Sequence, residues 1–206
     1  MTTWDVEMAA RIGQAVKALR EGRTPKLSAA KLAEATEKCG YAMTKAQISD
    51  LELGRKKTVT VPELVALGLA LGVPPAQLLY PELPDGKVEV WPGVESSSIE
   101  ALQWFSGETD PQDIDSSAPP SADRTVWLAR EYQNSGLAWG RVDNRLDDLA
   151  AIEAKDSAGW TDMERAAHVE LVAATKQASE AAKRRHFSIK QSLEREGGTL
   201  DGGSSA

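Results

Sequence analysis

Hydrophobic residues recur at three- and four-residue spacing through the first part of the chain, which is typical of helices that bury one face. A first helix is predicted over residues 4–23. Its apolar positions are Val6, Ala9, Ile12, Val16 and Leu19. Gly22, Thr24 and Pro25 are expected to end it.

Four shorter helices are predicted to follow, because polar cap residues and glycines divide the apolar pattern. Ser28 and Thr44 are expected to cap the second and third helices, over residues 29–38 and 45–53. Thr60 caps a fourth, leucine-rich helix, and a short fifth helix spans residues 75–79. Residues 1–81 therefore form one small helical domain.

The pattern changes after this domain. Residues 84–93 predict a turn that leads into one short strand, and residues 98–106 predict a small helix. Residues 82–107 are therefore expected to form an extension that packs on the first domain. The composition of residues 108–122, rich in Asp, Ser and Pro, is typical of a linker.

Two long helical patterns occupy residues 123–196. The first has a heptad seam, at Leu128, Tyr132, Ser135, Trp139, Val142, Leu146 and Leu149. The second has a narrower predicted stripe, at Met163, Ala167, Leu171, Ala174, Ala178 and Ala181. A short break between them predicts an antiparallel helical hairpin. The tail, residues 197–206, is predicted to be disordered, and the fold class is all-α.

Charge and composition narrow the functional classes. The net charge is −7, yet residues 1–80 carry eleven Lys and Arg against eight Asp and Glu. This positive balance suits an N-terminal domain that contacts an anionic partner, whereas the acidic remainder should avoid one. No catalytic constellation or phosphate loop is recognisable, so we expect no enzyme activity and no cofactor.

Cysteine and histidine are scarce. The single cysteine, Cys39, fits a reducing compartment, and two histidines, His168 and His186, do not make a zinc site. The first residues lack the features of a signal peptide, and no apolar run approaches the length of a membrane span. We therefore expect a cytoplasmic protein without a metal and without membrane association.

The order of motifs in residues 11–80 resembles the Xre/Cro-type, lambda-repressor-like helix-turn-helix family, to which many phage repressors belong. The matching residues are Leu32 and Ala33 in the second helix, Ile48, Leu51, Glu52 and Gly54 around the third, and Ala70, Leu71, Gly72, Val73, Leu78 and Leu79. The resemblance covers about a third of the chain. It implies a five-helix DNA-binding domain whose third helix enters the major groove.

The resemblance implies that the residues just after the third cap face base edges. Lys45 would then bond a guanine, Gln47 an adenine edge, and Ala46 would contact a thymine methyl group. Asp50 would either accept from a cytosine amine or lie outside the groove. Glu52 is implied to pair with an arginine late in the first helix, here Arg20, and to fix the reading helix.

Phosphate contacts are predicted beside this helix. Ser28 and Ala29 begin the second helix, where free backbone N–H groups attract anions, and Thr44 does the same for the third. The basic loop that follows the third helix adds three cations, Arg55, Lys56 and Lys57. Such contacts release counterions, so we expect affinity for DNA to fall with salt.

The sequence thus predicts a sequence-specific transcriptional regulator of the repressor type, either a phage immunity repressor or a host regulator. Its hairpin would either pair with a second copy in a homodimer or bury its apolar seam within one chain. One alternative is an antitoxin or adaptor that regulates its own gene and binds a partner through the hairpin. Another is an interaction protein with a degenerate helix-turn-helix. We expect no small-molecule effector.

Overall fold

The structure, a computed structural model, describes residues 3–198 and Leu200, so most of the predicted disordered tail lies outside the described residues. The chain divides into two compact units on either side of the Pro119–Pro120 bond. Both units are mainly helical, which confirms the all-α class. Within the described ranges, no helix is both long enough and apolar enough to span a bilayer.

The first unit contains seven helices and two strands within the described residues. In chain order these are α1 Trp4–Glu21, α2 Ala29–Lys38, α3 Lys45–Glu52, α4 Val61–Leu71, α5 Pro75–Leu79, β1 Lys87–Trp91, β2 Val94–Ser97, α6 Ser98–Phe105 and α7 Pro111–Ile114. Ser28, Thr44 and Thr60 cap α2, α3 and α4 with their side chains, as their positions predicted.

One apolar core joins the helices of this unit. Its fully buried side chains come from α1 to α5, at Val16, Leu32, Ile48, Leu51, Leu67, Leu71 and Leu78. Val88, Val90 and Ala101 extend the core into the sheet and α6. Because a short helix is unstable alone in water, this packing is what holds α3 in place.

Two elements of the first unit differ from the predictions. A second strand, β2, pairs antiparallel with β1 across Pro92 and Gly93, where only one strand was expected. The positive φ of Gly93 (81°) permits this tight turn. The segment expected to be a linker contains α7, and Ile114 from α7 packs against the core.

The second unit consists of α8 Thr125–Asp156, a 3₁₀ turn at Ser157–Gly159 and α9 Asp162–Arg195. The two helices run antiparallel, because early residues of α8 contact late residues of α9. Ser135 Oγ lies 3.0 Å from His186 Nδ1, and Ser179 Oγ donates to Asp143 Oδ1 at 3.0 Å.

The seam of α8 lies where its heptad pattern predicted, since all seven positions are buried or half-buried. The predicted stripe of α9 is wrong. Met163 and Leu171 are 82% and 43% exposed, and the alanines of the stripe are exposed as well. The residues of α9 that face α8 are His168, Val172, Thr175, Ser179, Ala182, His186, Ile189 and Leu193. Polar side chains in this seam explain why an apolar stripe failed to identify it.

Candidate nucleic-acid interface

Helix α3 is short and is fixed at its start by a reciprocal cap. The hydroxyl of Thr44 accepts from the backbone N–H of Gln47 at 3.1 Å, and Gln47 Oε1 accepts from the backbone N–H of Thr44 at 2.8 Å. Ile48 and Leu51 are fully buried and anchor the inner side of the helix. The opposite side of α3 is left to the solvent.

Helix α1 approaches the end of α3 closely at Gly13. A Cβ atom on Gly13 would lie 2.1 Å from the carbonyl oxygen of Leu51 and 2.7 Å from its carbonyl carbon. Only a residue without a side chain allows the two backbones this approach. Gly13 therefore sets how deeply α3 sits against α1.

Arg20 and Glu52 form the ion pair that the family resemblance implied. Arg20 Nε lies 2.8 Å from Glu52 Oε1, and Arg20 Nη2 lies 2.8 Å from Glu52 Oε2. Arg20 Nη1 also donates to the carbonyl oxygen of Leu27 at 2.7 Å. The hydrogen bonds with Glu52 raise the pKa of the Arg20 guanidinium above its ordinary value. This mostly buried pair ties α3 to α1 and to the entry of α2.

The residues predicted to contact DNA bases differ in how free their side chains are to make that contact. Lys45, Ala46 and Gln47 are all exposed, and the described part of the chain offers Lys45 no hydrogen bond or ion pair. Gln47 is not free, because its carbonyl oxygen accepts the cap bond from Thr44. Its amide NH₂ group remains available, so a two-bond contact with adenine requires the oxygen to be shared or the cap bond released.

Asp50 already has a partner in this structure. Its Oδ1 lies 2.7 Å from Arg55 Nε and 2.6 Å from Arg55 Nη2. Both contacts use Oδ1, so a cytosine amine would have to meet Asp50 at Oδ2 or displace Arg55, and a phosphate would compete with Asp50 for the charge of Arg55. This pair lowers the expected contribution of both residues to DNA binding.

Only part of the basic loop after α3 is free to contact a phosphate. Lys56 Nζ lies 3.0 Å from Glu63 Oε1, so its charge is compensated by a buried carboxylate. Lys57 is exposed, and its Nζ donates to the carbonyl oxygen of Gly54 at 2.8 Å. The acceptor is a neutral backbone group, so no carboxylate offsets the positive charge of this side chain. Lys57 is therefore the member of the loop best placed to meet a phosphate.

Burial alone would raise the pKa of Glu63. Hydrogen bonds from the backbone of Thr60 and from Lys56 outweigh that effect, so the pKa of Glu63 lies below its ordinary value. Glu63 also closes the cap of α4, accepting from the Thr60 N–H at 2.9 Å. The carboxylate thus connects the basic loop to the helix that follows it.

The start of α2 presents an anion-binding geometry. The Ser28 hydroxyl accepts from the backbone N–H of Lys31 at 3.2 Å, and the first N–H groups of the helix, including that of Ala29, have no acceptor within the helix. Lys26 and Lys31 are exposed beside this end. Sequence reasoning did not select these two lysines, although a cluster of basic residues around the Ser28 cap is a signal for an anionic partner.

Thr36 is a second residue that the sequence did not single out. It is fully buried in α2, where its hydroxyl donates to the carbonyl oxygen of Ala33 at 2.8 Å and accepts from the backbone N–H of Met43 at 3.1 Å. This bond holds the turn between α2 and α3. Gly40, with a φ of 88°, lets the chain reverse within it.

Residues 3–198 and Leu200 contain no group of three or more His, Cys, Asp or Glu side chains arranged to hold a metal ion. No family model, no curated protein and no solved structure matches this chain.

Proposed function

We propose that this protein is a sequence-specific DNA-binding transcriptional regulator of the repressor type, which reads an operator with α3. The observation that carries the proposal is the outer face of α3, where Lys45, Ala46 and Gln47 are exposed on a helix that is anchored from behind. Ile48, Leu51 and the Arg20–Glu52 pair supply that anchoring. A rigid helix with a free polar face is what reading of a major groove requires.

The neighbouring cations support the proposal. Lys57, Lys26 and Lys31 are exposed, and the start of α2 offers backbone donors to a phosphate. The resemblance of residues 11–80 to the Xre/Cro-type family assigns the same faces to DNA. Tight operator binding by so small a domain usually requires two copies on adjacent half-sites. The second unit is the proposed source of that pairing.

One observation favours a protein-interaction module with a degenerate helix-turn-helix. Two of the three cations of the basic loop are paired within the chain, Arg55 with Asp50 and Lys56 with Glu63. A loop neutralised in this way has less charge to offer a phosphate backbone. This reading predicts that DNA is not retained even at low salt.

The test begins with selection of bound fragments from a random double-stranded DNA library, followed by titration of the selected site. Lys45→Ala should weaken binding by about 1–3 kcal/mol and relax the sequence preference at one position. Lys57→Ala should weaken binding to all sequences and reduce the salt slope by about one.

Lys17→Ala is the matched control, because Lys17 is an exposed lysine on α1 and not on α3. It should leave sequence preference unchanged. Failure of the library to yield an enriched site, or equal effects of Lys45→Ala and Lys17→Ala on selectivity, would overturn the proposal.

A further inference from the structure

Helix α3 closes its cap with a different chemical group from the other reciprocally capped helices. Five helices have a reciprocal cap in the part of the chain that the structure describes. Four of these caps are closed by a carboxylate, from Glu63 in α4, Glu100 in α6, Asp113 in α7 and Glu164 in α9. The cap of α3 is closed by the amide of Gln47. Since the cap needs only an acceptor, the NH₂ group is what the amide adds.

The orientation of the Gln47 amide follows from its partner. A backbone N–H can only donate, so the Gln47 atom that lies 2.8 Å from the Thr44 nitrogen is the oxygen, Oε1. The two hydrogen atoms on Nε2 have no acceptor among the described residues. Because the oxygen is already engaged, a base edge meets Gln47 as a hydrogen-bond donor.

The other exposed side chains of this first turn also lack acceptors. Lys45 carries an ammonium group, and Ala46 offers only a methyl group. The Thr44 hydroxyl oxygen accepts from the backbone N–H of Gln47 at 3.1 Å, and its proton remains to be donated. The first turn of α3 contains no acidic residue. We call the exposed side chains of Lys45, Ala46 and Gln47 the donor face.

The later polar positions of α3 have a less definite character. Ser49 has a hydroxyl group, which can donate or accept and therefore does not select between base edges. Asp50 has one oxygen engaged by Arg55, while its second oxygen is not. Both residues lie beyond Gln47 along the helix. The donor face is therefore the part of α3 whose hydrogen-bonding character is fixed.

The four bases differ in the groups that they present in the major groove. Guanine presents two acceptors, N7 and O6, and thymine presents one, O4. Adenine presents N7 beside its N6 amine, whereas cytosine presents only its N4 amine. A donor face leaves either amine without an acceptor, which costs free energy when water is excluded. Guanine is the base whose whole edge matches donors.

From these contacts we infer that the donor face binds hydrogen-bond acceptors on base edges, and that Gln47 donates through its NH₂ group to N7 of a guanine. This contact takes the place of the two-bond contact with adenine that the family resemblance implied, because the latter uses the amide oxygen. It rests on the proposed operator binding, and it makes guanine the base that the operator carries opposite Gln47.

The variant Gln47→Glu separates the cap from the contact with the base. Glutamate still accepts from the Thr44 N–H, as Glu63 accepts from a backbone N–H in α4, but it has no NH₂ group to donate. Selection from the random library with this variant should lose guanine at one position and gain cytosine, whose amine is a donor. That position is the one opposite Gln47.

Gln14→Glu is the matched control, because it makes the same substitution at an exposed glutamine of α1. It should keep the wild-type sequence preference. A base other than guanine opposite Gln47, or an unchanged preference in Gln47→Glu, overturns the inference. If Gln47→Glu retains no DNA, base analogues in the operator of the wild-type chain decide.

The base analogues test the contact one atom at a time. 7-Deazaguanine lacks N7 and should weaken binding by about fivefold or more when it replaces the guanine opposite Gln47. Inosine is the matched control, because it keeps N7 and O6 and lacks only the amine in the minor groove. It should bind as guanine does. Equal affinities for guanine and 7-deazaguanine at every guanine of the operator overturn the inference.

The engagement of the Gln47 oxygen is tested without DNA. Hydrogen exchange of the Thr44 backbone amide, followed by NMR, should be faster by about twofold or more in Gln47→Ala than in the wild type. It should be unchanged in Lys45→Ala, because the Lys45 side chain makes no bond to the backbone among the described residues. Equal exchange rates in the wild type and Gln47→Ala would mean that the oxygen is free, which overturns the inference.

The regulator and the guanine contact fail in different ways. A library that yields no enriched site contradicts the regulator, and the guanine contact with it. An enriched site whose affinity does not depend on guanine N7 contradicts the guanine contact and leaves the regulator standing.

Discussion

Gly13 is the residue on which the position of the proposed reading helix depends most directly. Gly13→Ala puts a methyl group against the Leu51 carbonyl group, which is backbone and cannot rotate away. We expect the free energy of unfolding to fall by about 1–3 kcal/mol, as in other overpacked sites. Chemical denaturation followed by circular dichroism measures this change.

Gln14→Ala controls for the alanine itself, because Gln14 is the next residue of α1 and is exposed. That variant should be as stable as the wild type. Gly13→Ala with unchanged stability would mean that α1 and α3 separate at little cost, in which case Gly13 does not set the position of α3.

At the residue scale, the sequence identified side chains by type and could not identify their partners. Ile48 and Leu51 were predictable as anchors because their spacing marks the inner face of α3. The pairing of Asp50 with Arg55 depends on how the chain turns after α3, which no spacing rule gives. Gly13 and Thr36 were missed for the same reason, since each acts on backbone that is distant in sequence.

At the scale of elements, Glu63 makes the start of α4 sensitive to acid. Its pKa in the folded chain lies below the ordinary value of 4.5, so the ionised form stabilises the fold. This stabilisation is complete above the unfolded pKa and is lost as the pH falls through the folded pKa. Glu63→Gln should therefore lower the free energy of unfolding at neutral pH. Below about pH 4.5, the free energy of unfolding of this variant should depend less on pH than that of the wild type.

Denaturation midpoints between neutral pH and pH 3 measure this effect. Glu34→Gln is the control, because Glu34 is an exposed carboxylate on α2 that makes no ion pair in the described part of the chain. It should keep the acid dependence of the wild type. If Glu63→Gln keeps that dependence as well, Glu63 does not cause it.

The elements themselves were predictable where apolar spacing was regular. The seam of α8 follows its heptads because Leu128, Tyr132 and Leu149 dominate it. The seam of α9 was misassigned because His168, Thr175 and His186 lie in the contact while the alanines lie outside. Strand β2 was missed because its residues, Val-Glu-Ser-Ser, carry little β preference and pair only once the preceding turn has formed.

At the scale of the whole molecule, the two units have separate apolar interiors. Every member of the core cluster, with the half-buried residues packed on it, lies between Met8 and Ile114. A fragment of residues 1–119 should therefore fold alone and keep the sequence preference of one half-site. It should bind two adjacent half-sites without cooperativity, because the second unit, the proposed source of pairing, is absent.

Titration of this fragment and of the full chain on one and on two half-sites measures the difference. Circular dichroism confirms that the fragment is folded. Cooperative binding by the fragment would place the pairing surface in the first unit, and an unfolded fragment would contradict the separation of the two interiors.

The cap bond of Gln47 constrains how the proposed operator sequence could evolve. A substitution at this position would alter the proposed base contact and would also remove the acceptor for the Thr44 N–H, which weakens α3 at its start. Glutamate is the other residue that can close this cap, so few replacements are tolerated. Changes in the proposed sequence preference are therefore expected at Lys45 and Ala46, because no backbone group is hydrogen-bonded to their side chains.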